Sequence, residues 1–210
     1  MPDSLDRNVG RSWDDLCASW ETEIREGWFA GHQAHCHKEG LIDIIDWRRP
    51  GTRICAVRYM IMGNSLIVGG DLGDAVYAWS SDISLKFLAG CGIHYFAEKC
   101  RASEYGSGYR EWFPELARQR LIEWENEDPG YKDSQRSVVD DALRAINSHG
   151  EWLQWLTTDG DEAFGSDLSE FGDIGMAVSL RCRAHLFGLN MAHAALNTGI
   201  NQPAEMEIRS

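Results

Sequence analysis

Four potential metal donors stand within six residues at His32, His35, Cys36 and His37 (HQAHCH). Neutral imidazole and thiolate are the donors that zinc prefers. Adjacent residues cannot all turn toward one ion, so such a site would need distant partners, with Cys17 and His94 as candidates; the other reading is a polar loop. A second constellation, Asp71 and Asp74 in GGDLGD, sets two carboxylates among glycines, where they could hold Mg²⁺ or act as a general base. The same letters are ordinary turn chemistry at a strand end. Asp159 to Glu170 (DGDEAFGSDLSE) puts acidic residues at the first, third, ninth and twelfth places of a calcium-loop template, but Phe164 stands where the template needs glycine. Cys91 and His94 could pair as nucleophile and base, with no third residue to orient them. There is no Gly-rich phosphate cradle followed by Lys, no nucleophile elbow and no HExxH helix, which disfavours those enzyme classes.

The strongest signals are charge and tryptophan. Between Glu151 and Leu180 stand seven acidic residues (Glu151, Asp159, Asp161, Glu162, Asp167, Glu170, Asp173) and no Lys or Arg, and Glu123, Glu125, Glu127 and Asp128 form a second acidic cluster. Dense negative charge speeds encounter with basic surfaces and can imitate the phosphate array of a duplex. Of the nine tryptophans, Trp13 and Trp20 fall on a helical stripe and are expected in the core. Trp124 amid glutamates and the pair Trp152 and Trp155 are expected as surface anchors, since Trp is enriched at binding hot spots.

The elements that must carry these residues follow from periodicity. Trp13, Leu16, Trp20 and Ile24 predict a helix over Ser12 to Glu26, followed by a polar connection from Gly27 to Gly40. Leu41 to Trp47 reads as a strand, and Thr52 to Gly70 as a hairpin reversing at Gly63-Asn64. Ala75 to Trp79 is a third strand or a helix start; Asp82 can cap a helix through Leu88, and Ile93 to Ala102 predicts another. Helices are then expected from Pro114 to about Glu125, stopped by Asp128-Pro129-Gly130, and from Ser134 to His149 on the stripe Val138, Val139, Ala142, Leu143 and Ile146. Trp152, Trp155 and Leu156 make a further turn, and Asp173 to Leu196 reads as a central buried helix, bent at Gly188. The fold class is α+β, a small antiparallel sheet with a central hairpin packed against a larger helical half. One domain over 1–210 is the default, with 1–109 (helix plus sheet) and 110–210 (helical) as the subdivision the pattern allows.

Composition narrows the setting. The 210 residues carry 33 acidic and 20 basic side chains, a net charge of −13 that argues against direct nucleic-acid binding. No apolar run approaches the roughly 18 residues of a membrane span, and MPDSLDRNVG lacks the basic and apolar regions of a signal peptide, so a cytoplasmic protein is expected. Six cysteines without a CxxC pair read as buried thiols, ahead of disulfides or zinc knuckles.

The segment from Gly70 to Tyr105, carried by GDLGDAVYAWS and HYFAEKCRASEYG, resembles uncharacterised accessory proteins encoded by tailed bacteriophages and prophages. That resemblance implies a bacterial host cytoplasm and a role in blocking host defence machinery, CRISPR nucleases included, and it assigns no catalytic residue. The expected function is therefore a non-enzymatic, anti-CRISPR or anti-defence inhibitor that needs no cofactor. Its acidic surface, with Trp anchors, would occupy a basic, nucleic-acid-binding host protein by mimicry of nucleic acid, without touching nucleic acid or membrane itself, and a homodimer is open to it. The alternative is a small metal-dependent hydrolase or nucleotide-processing enzyme built on Asp71 and Asp74 or on His32, His35 and His37.

Overall fold

The computed structural model describes residues 12–104, 109–127, 133–164 and 168–198. In chain order its elements are α1 (Trp13–Thr22), which widens into a π-helical turn at Glu23–Trp28, then β1 (Gln33–Glu39), β2 (Ile42–Arg48), β3 (Val57–Met62), β4 (Ser65–Gly70), β5 (Ala75–Ala78), α2 (Leu85–Ala89), α3 (Ile93–Ala97), β6 (Cys100–Ser103) and β7 (Arg110–Trp112). There follow α4 (Pro114–Glu127), α5 (Asp133–Ala145), α6 (His149–Thr158), α7 (Gly160–Phe164), α8 (Leu168–Phe171), β8 (Met176–Val178) and α9 (Leu180–Asn197). The class is α+β, with two compact units: Met1–Cys17 joined by Arg110–Ala177, and Ala18–Tyr109 joined by Val178–Ser210.

The second unit is built on a six-stranded antiparallel meander in which spatial order equals chain order, β1 to β6. Alternation decides its faces. Val57, Tyr59 and Ile61 of β3 and Leu66 and Val68 of β4 are buried, while Arg58 and Met62 between and after them are exposed. The reversal at Gly63-Asn64 forms as expected, with Gly63 at φ +55°. Onto the buried face folds α9, whose residues from Cys182 to Leu189 are all buried. The Tyr59 hydroxyl donates to the His185 carbonyl at 3.0 Å, and the Tyr77 hydroxyl lies 3.0 Å from His185 Nδ1 and 3.6 Å from Cys182 Sγ. Gly188 makes the approach possible: a Cβ there would stand 2.2 Å from the Tyr59 hydroxyl oxygen.

The first unit gathers its helices around aromatic rings. Phe164 and Phe171 stack at 3.8 Å, Trp152 and Trp155 at 5.3 Å, and Trp124 meets both phenylalanines edge-on. The indole N–H of Trp152 donates to the Phe171 carbonyl at 2.8 Å and that of Trp112 to the Ile146 carbonyl at 2.9 Å, so both enter the core without leaving a polar atom unpaired. The expected stripe is buried at Val139, Ala142 and Leu143 of α5 and at Ile146 just past its end.

Several elements differ from expectation for identifiable reasons. The polar connection contains β1, an edge strand that pairs with β2 through the main chain and the Lys38–Asp43 ion pair and buries Ala34 alone, so it lacks an apolar signature. Helix α3 stops at Ala97, because Cys100–Ser103 pairs with β5 instead, with a register shift at Val76/Tyr77. Ser84, not Asp82, caps α2 through the Phe87 N–H. Ser148 opens α6 by accepting from the Glu151 N–H, where the sequence suggested a helix end at His149. The last helix begins only at Leu180, capped by Ser179, after the strand β8, and it belongs with the sheet. The stop at Asp128-Pro129-Gly130 lies outside the described residues.

Two outcomes follow for stability. Gly188→Ala must displace Tyr59 and should cost about 1 to 3 kcal/mol, whereas Gly150→Ala, with nothing within 4 Å of its Cβ, should be neutral or gain up to about 1 kcal/mol; urea denaturation of both separates them. Burial pushes His185 down to about 4, partly opposed by backbone groups of Leu72 and Gly73. The unfolded chain then takes up a proton that the folded one refuses, so stability falls as pH drops from about 6.5 toward 4, by about 2 kcal/mol between pH 7 and pH 5. His185→Gln should flatten that slope in denaturation curves recorded across the range.

Candidate functional site

The β2 to β3 connection is fastened at many points. Arg49 Nε donates to the Ala30 carbonyl at 2.9 Å, His32 Nε2 lies 3.1 Å from the Cys55 carbonyl oxygen, and the Ile54 N–H donates to the Thr52 hydroxyl at 3.0 Å. The Cys55 N–H donates to Asp71 Oδ2 at 2.7 Å, and the Asp71 N–H to the Ala56 carbonyl at 2.9 Å. Cys55 itself has φ +53°, the single non-glycine residue among those described with positive φ. Gly70 allows this closeness, since a Cβ on it would lie 2.3 Å from the Ala56 carbonyl oxygen. Asp71 therefore does the work of a turn carboxylate.

On the sheet face opposite α9, the register aligns His35, Asp46, Arg58 and Gly69 in one row across β1 to β4. Arg58 grips Asp46 with two hydrogen bonds, at 2.7 and 3.2 Å. The Asp74 carboxylate overhangs the bare backbone of Gly69, where a Cβ would meet its Oδ1 at 3.2 Å, and the Asp74 N–H donates to Glu104 at 3.3 Å. Along this face run three adjoining hollows. One of about 460 Å³ is bounded by His35, Arg48, Thr52 and Arg53; one of about 680 Å³ shares those last three residues and reaches Met60 and Gly69; one of about 320 Å³ continues from Met60 and Gly69 to Asp74, Val76 and Glu104.

The metal constellation does not assemble. His32 is buried between Phe29 and Trp47, and burial lowers its pKa, keeping the ring neutral. His35 and His37 point to the opposite sheet face from Cys36, by strand alternation. Among the described residues no three His, Cys, Asp or Glu side chains are grouped to hold an ion. Burial raises the thiol pKa of Cys36, Cys55, Cys91 and Cys100, and that of Cys182 to about 12, which works against a thiolate nucleophile. Within the calcium-like segment, Gly160–Phe164 and Leu168–Glu170 lie in the helices α7 and α8, and 165–167 lie outside the described residues.

The expected interaction residues all belong to the helical unit. Glu123, Asp159, Asp161, Glu170 and Asp173 are exposed and Glu125 is half-buried. Glu127 and Glu162 lie in α4 and α7, and Asp128 and Asp167 lie outside the described residues. The tryptophans are a correction: Trp152 has no exposed surface, and Trp124 and Trp155 pack half-buried against the same core, because their rings meet Phe164 and Phe171 brought in from α7 and α8. What the linear sequence concealed is the division of charge. The helical unit holds 20 acidic against 8 basic side chains, a net −12, and the sheet unit 13 against 12, a net −1. Within the helical unit Arg110 is held by Asp173, Arg144 by Asp141 and Arg120 by the Ile174 carbonyl, so these cations are already engaged. No described helix is long and apolar enough to cross a membrane.

Asp71→Ala should free the 52–56 segment, speeding its amide hydrogen exchange and costing about 1 kcal/mol, while Asp74→Ala, whose carboxylate holds no loop N–H, should leave that segment's exchange unchanged. Comparison with protein-family models, curated proteins and solved structures finds no match to the chain.

Proposed function

We propose that the chain is a non-enzymatic accessory inhibitor, of the anti-defence kind that its resemblance to phage accessory proteins suggests, acting through the helical unit on a basic, nucleic-acid-handling host protein. The observation that supports this reading is the net −12 confined to one compact unit of the chain. A field of one sign raises the encounter rate with a positive surface and competes with a polyanion for it. Glu123, Asp159, Asp161 and Glu170 supply exposed carboxylates, and the tryptophans act as the rigid interior behind them. Binding of this kind weakens as ionic strength shortens the Debye length from about 10 Å at 0.1 M to about 3 Å at 1 M.

The test is affinity capture from a bacterial host lysate at low and high salt, followed by competition with duplex DNA on the captured protein. The expected partner is nucleic-acid-binding, is released by salt and is displaced by duplex. The combined variant Glu123→Gln, Asp159→Asn, Asp161→Asn, Glu170→Gln should lose at least tenfold in affinity, while neutralising Glu21, Glu39 and Asp82 of the sheet unit should change it little. A partner held equally at low and high salt would overturn the electrostatic reading.

A further inference from the structure

The stretch from Arg48 to Arg58 (RRPGTRICAVR), from the end of β2 through the loop into β3, carries four arginines and no acidic residue, in a protein of net charge −13. Two of the four are committed: Arg49 to the Ala30 carbonyl and Arg58 to Asp46. Arg48 and Arg53 are exposed, and among the described residues their guanidinium groups have no hydrogen-bond or ion-pair partner. Both line the 460 and the 680 Å³ hollows together with Thr52, and the two carboxylates that also line the larger one are already engaged, Asp46 by Arg58 and Asp71 by the Cys55 N–H. The loop that presents them is tied down by Asp71, His32 and Ala30, so little conformational freedom remains to be lost when a ligand arrives.

From this cationic end the hollows continue over an apolar stretch. Register places Ile44, Met60, Ile67 and Val76 in the neighbouring row of the same face, with Met60, Ile67 and Val76 lining the last hollow. That hollow ends at Asp74 and Glu104, two groups that accept hydrogen bonds. From β3 to β6 is three strand spacings, about 14 Å. The trough thus offers forked donors for an anion, then a flat apolar floor, then carboxylates for N–H donors. The separate hollows each fall in the volume range of small-molecule sites, about 300 to 1,000 Å³.

We infer that this face of the sheet unit binds a purine nucleotide, its phosphates held by Arg48, Arg53 and Thr52, its base lying over Met60, Ile67 and Val76, and its exocyclic amine donating to Asp74 or Glu104. This goes beyond the reading of the helical unit and does not depend on it. Bare oxyanions fit only the cationic end and nucleosides only the other two parts, so the nucleotide is the occupant that uses the whole trough.

The test is calorimetric titration of the full chain with ADP, and separately with pyrophosphate, adenosine and inosine diphosphate, which lacks the amine. ADP should bind saturably, at least tenfold more tightly than pyrophosphate or adenosine. Arg53→Gln and Arg48→Gln should each weaken ADP fivefold or more, and Arg25→Gln, whose guanidinium lies over Phe187, should not. Asp74→Asn should narrow the preference for ADP over inosine diphosphate. Met60→Glu should abolish binding and Met60→Leu retain it, with circular dichroism and urea midpoints showing that each variant is folded. Absence of saturable ADP binding, ADP affinity unchanged in Arg53→Gln, or pyrophosphate binding as tightly as ADP would overturn the proposal.

Discussion

The Tyr59 hydroxyl crosses the core of the sheet unit to the His185 carbonyl, and it reaches that oxygen because Gly188 has no side chain in its way. On this contact the placement of α9 depends. A helix that is buried on nearly every side from Cys182 to Leu189 needs a snug partner along its length, and the row Val57, Tyr59 and Ile61 provides one. Since strand side chains alternate, committing this row to α9 commits Arg58, Met60 and Met62 to the other face. The trough with its arginine end is therefore a by-product of where the core lies.

His185 shows the electrostatic side of the same arrangement. Its Nδ1 meets the Tyr77 hydroxyl within a region from which water is excluded, and Cys182 shares that hydroxyl. A proton on this imidazole would leave a charge in an apolar interior, so the folded state is tied to the neutral ring. Polar atoms in such a core act as locks: they tolerate one geometry well and others poorly.

Charge divides along the same line as the fold. The helical unit builds its interior on aromatic rings, with the indole N–H groups of Trp112 and Trp152 donating to backbone carbonyls, and carries 20 acidic against 8 basic side chains. The sheet unit is near neutrality, and on its fastened loop Arg48 and Arg53 stay exposed while the nearby Asp46 and Asp71 carboxylates are taken up by Arg58 and by the Cys55 N–H. A single chain thus holds one unit of strong negative charge and another, near neutrality, whose sheet face carries a hollow lined by arginines.

Much of this was legible in the residues alone. The hairpin about Gly63-Asn64, the stripe of α5 and the α+β class follow from local periodicity and turn chemistry, which depend on neighbours a few residues away. So did both acidic clusters, and turn chemistry was already one reading of Asp71. The edge strand β1 has no apolar alternation to announce it, since it buries Ala34 alone, and β6 is hidden because strand pairing with β5 overrides a short helical pattern. The burial of Trp152 and the placing of Met60 and Gly69 beside the arginine-rich stretch have no local signature, since they bring together residues from different strands or helices. Sequence by itself determined which segments prefer helix or strand and how much charge the chain carries. Tertiary structure alone decided which face each side chain meets, because a core forms from contacts between segments that no window of neighbours contains.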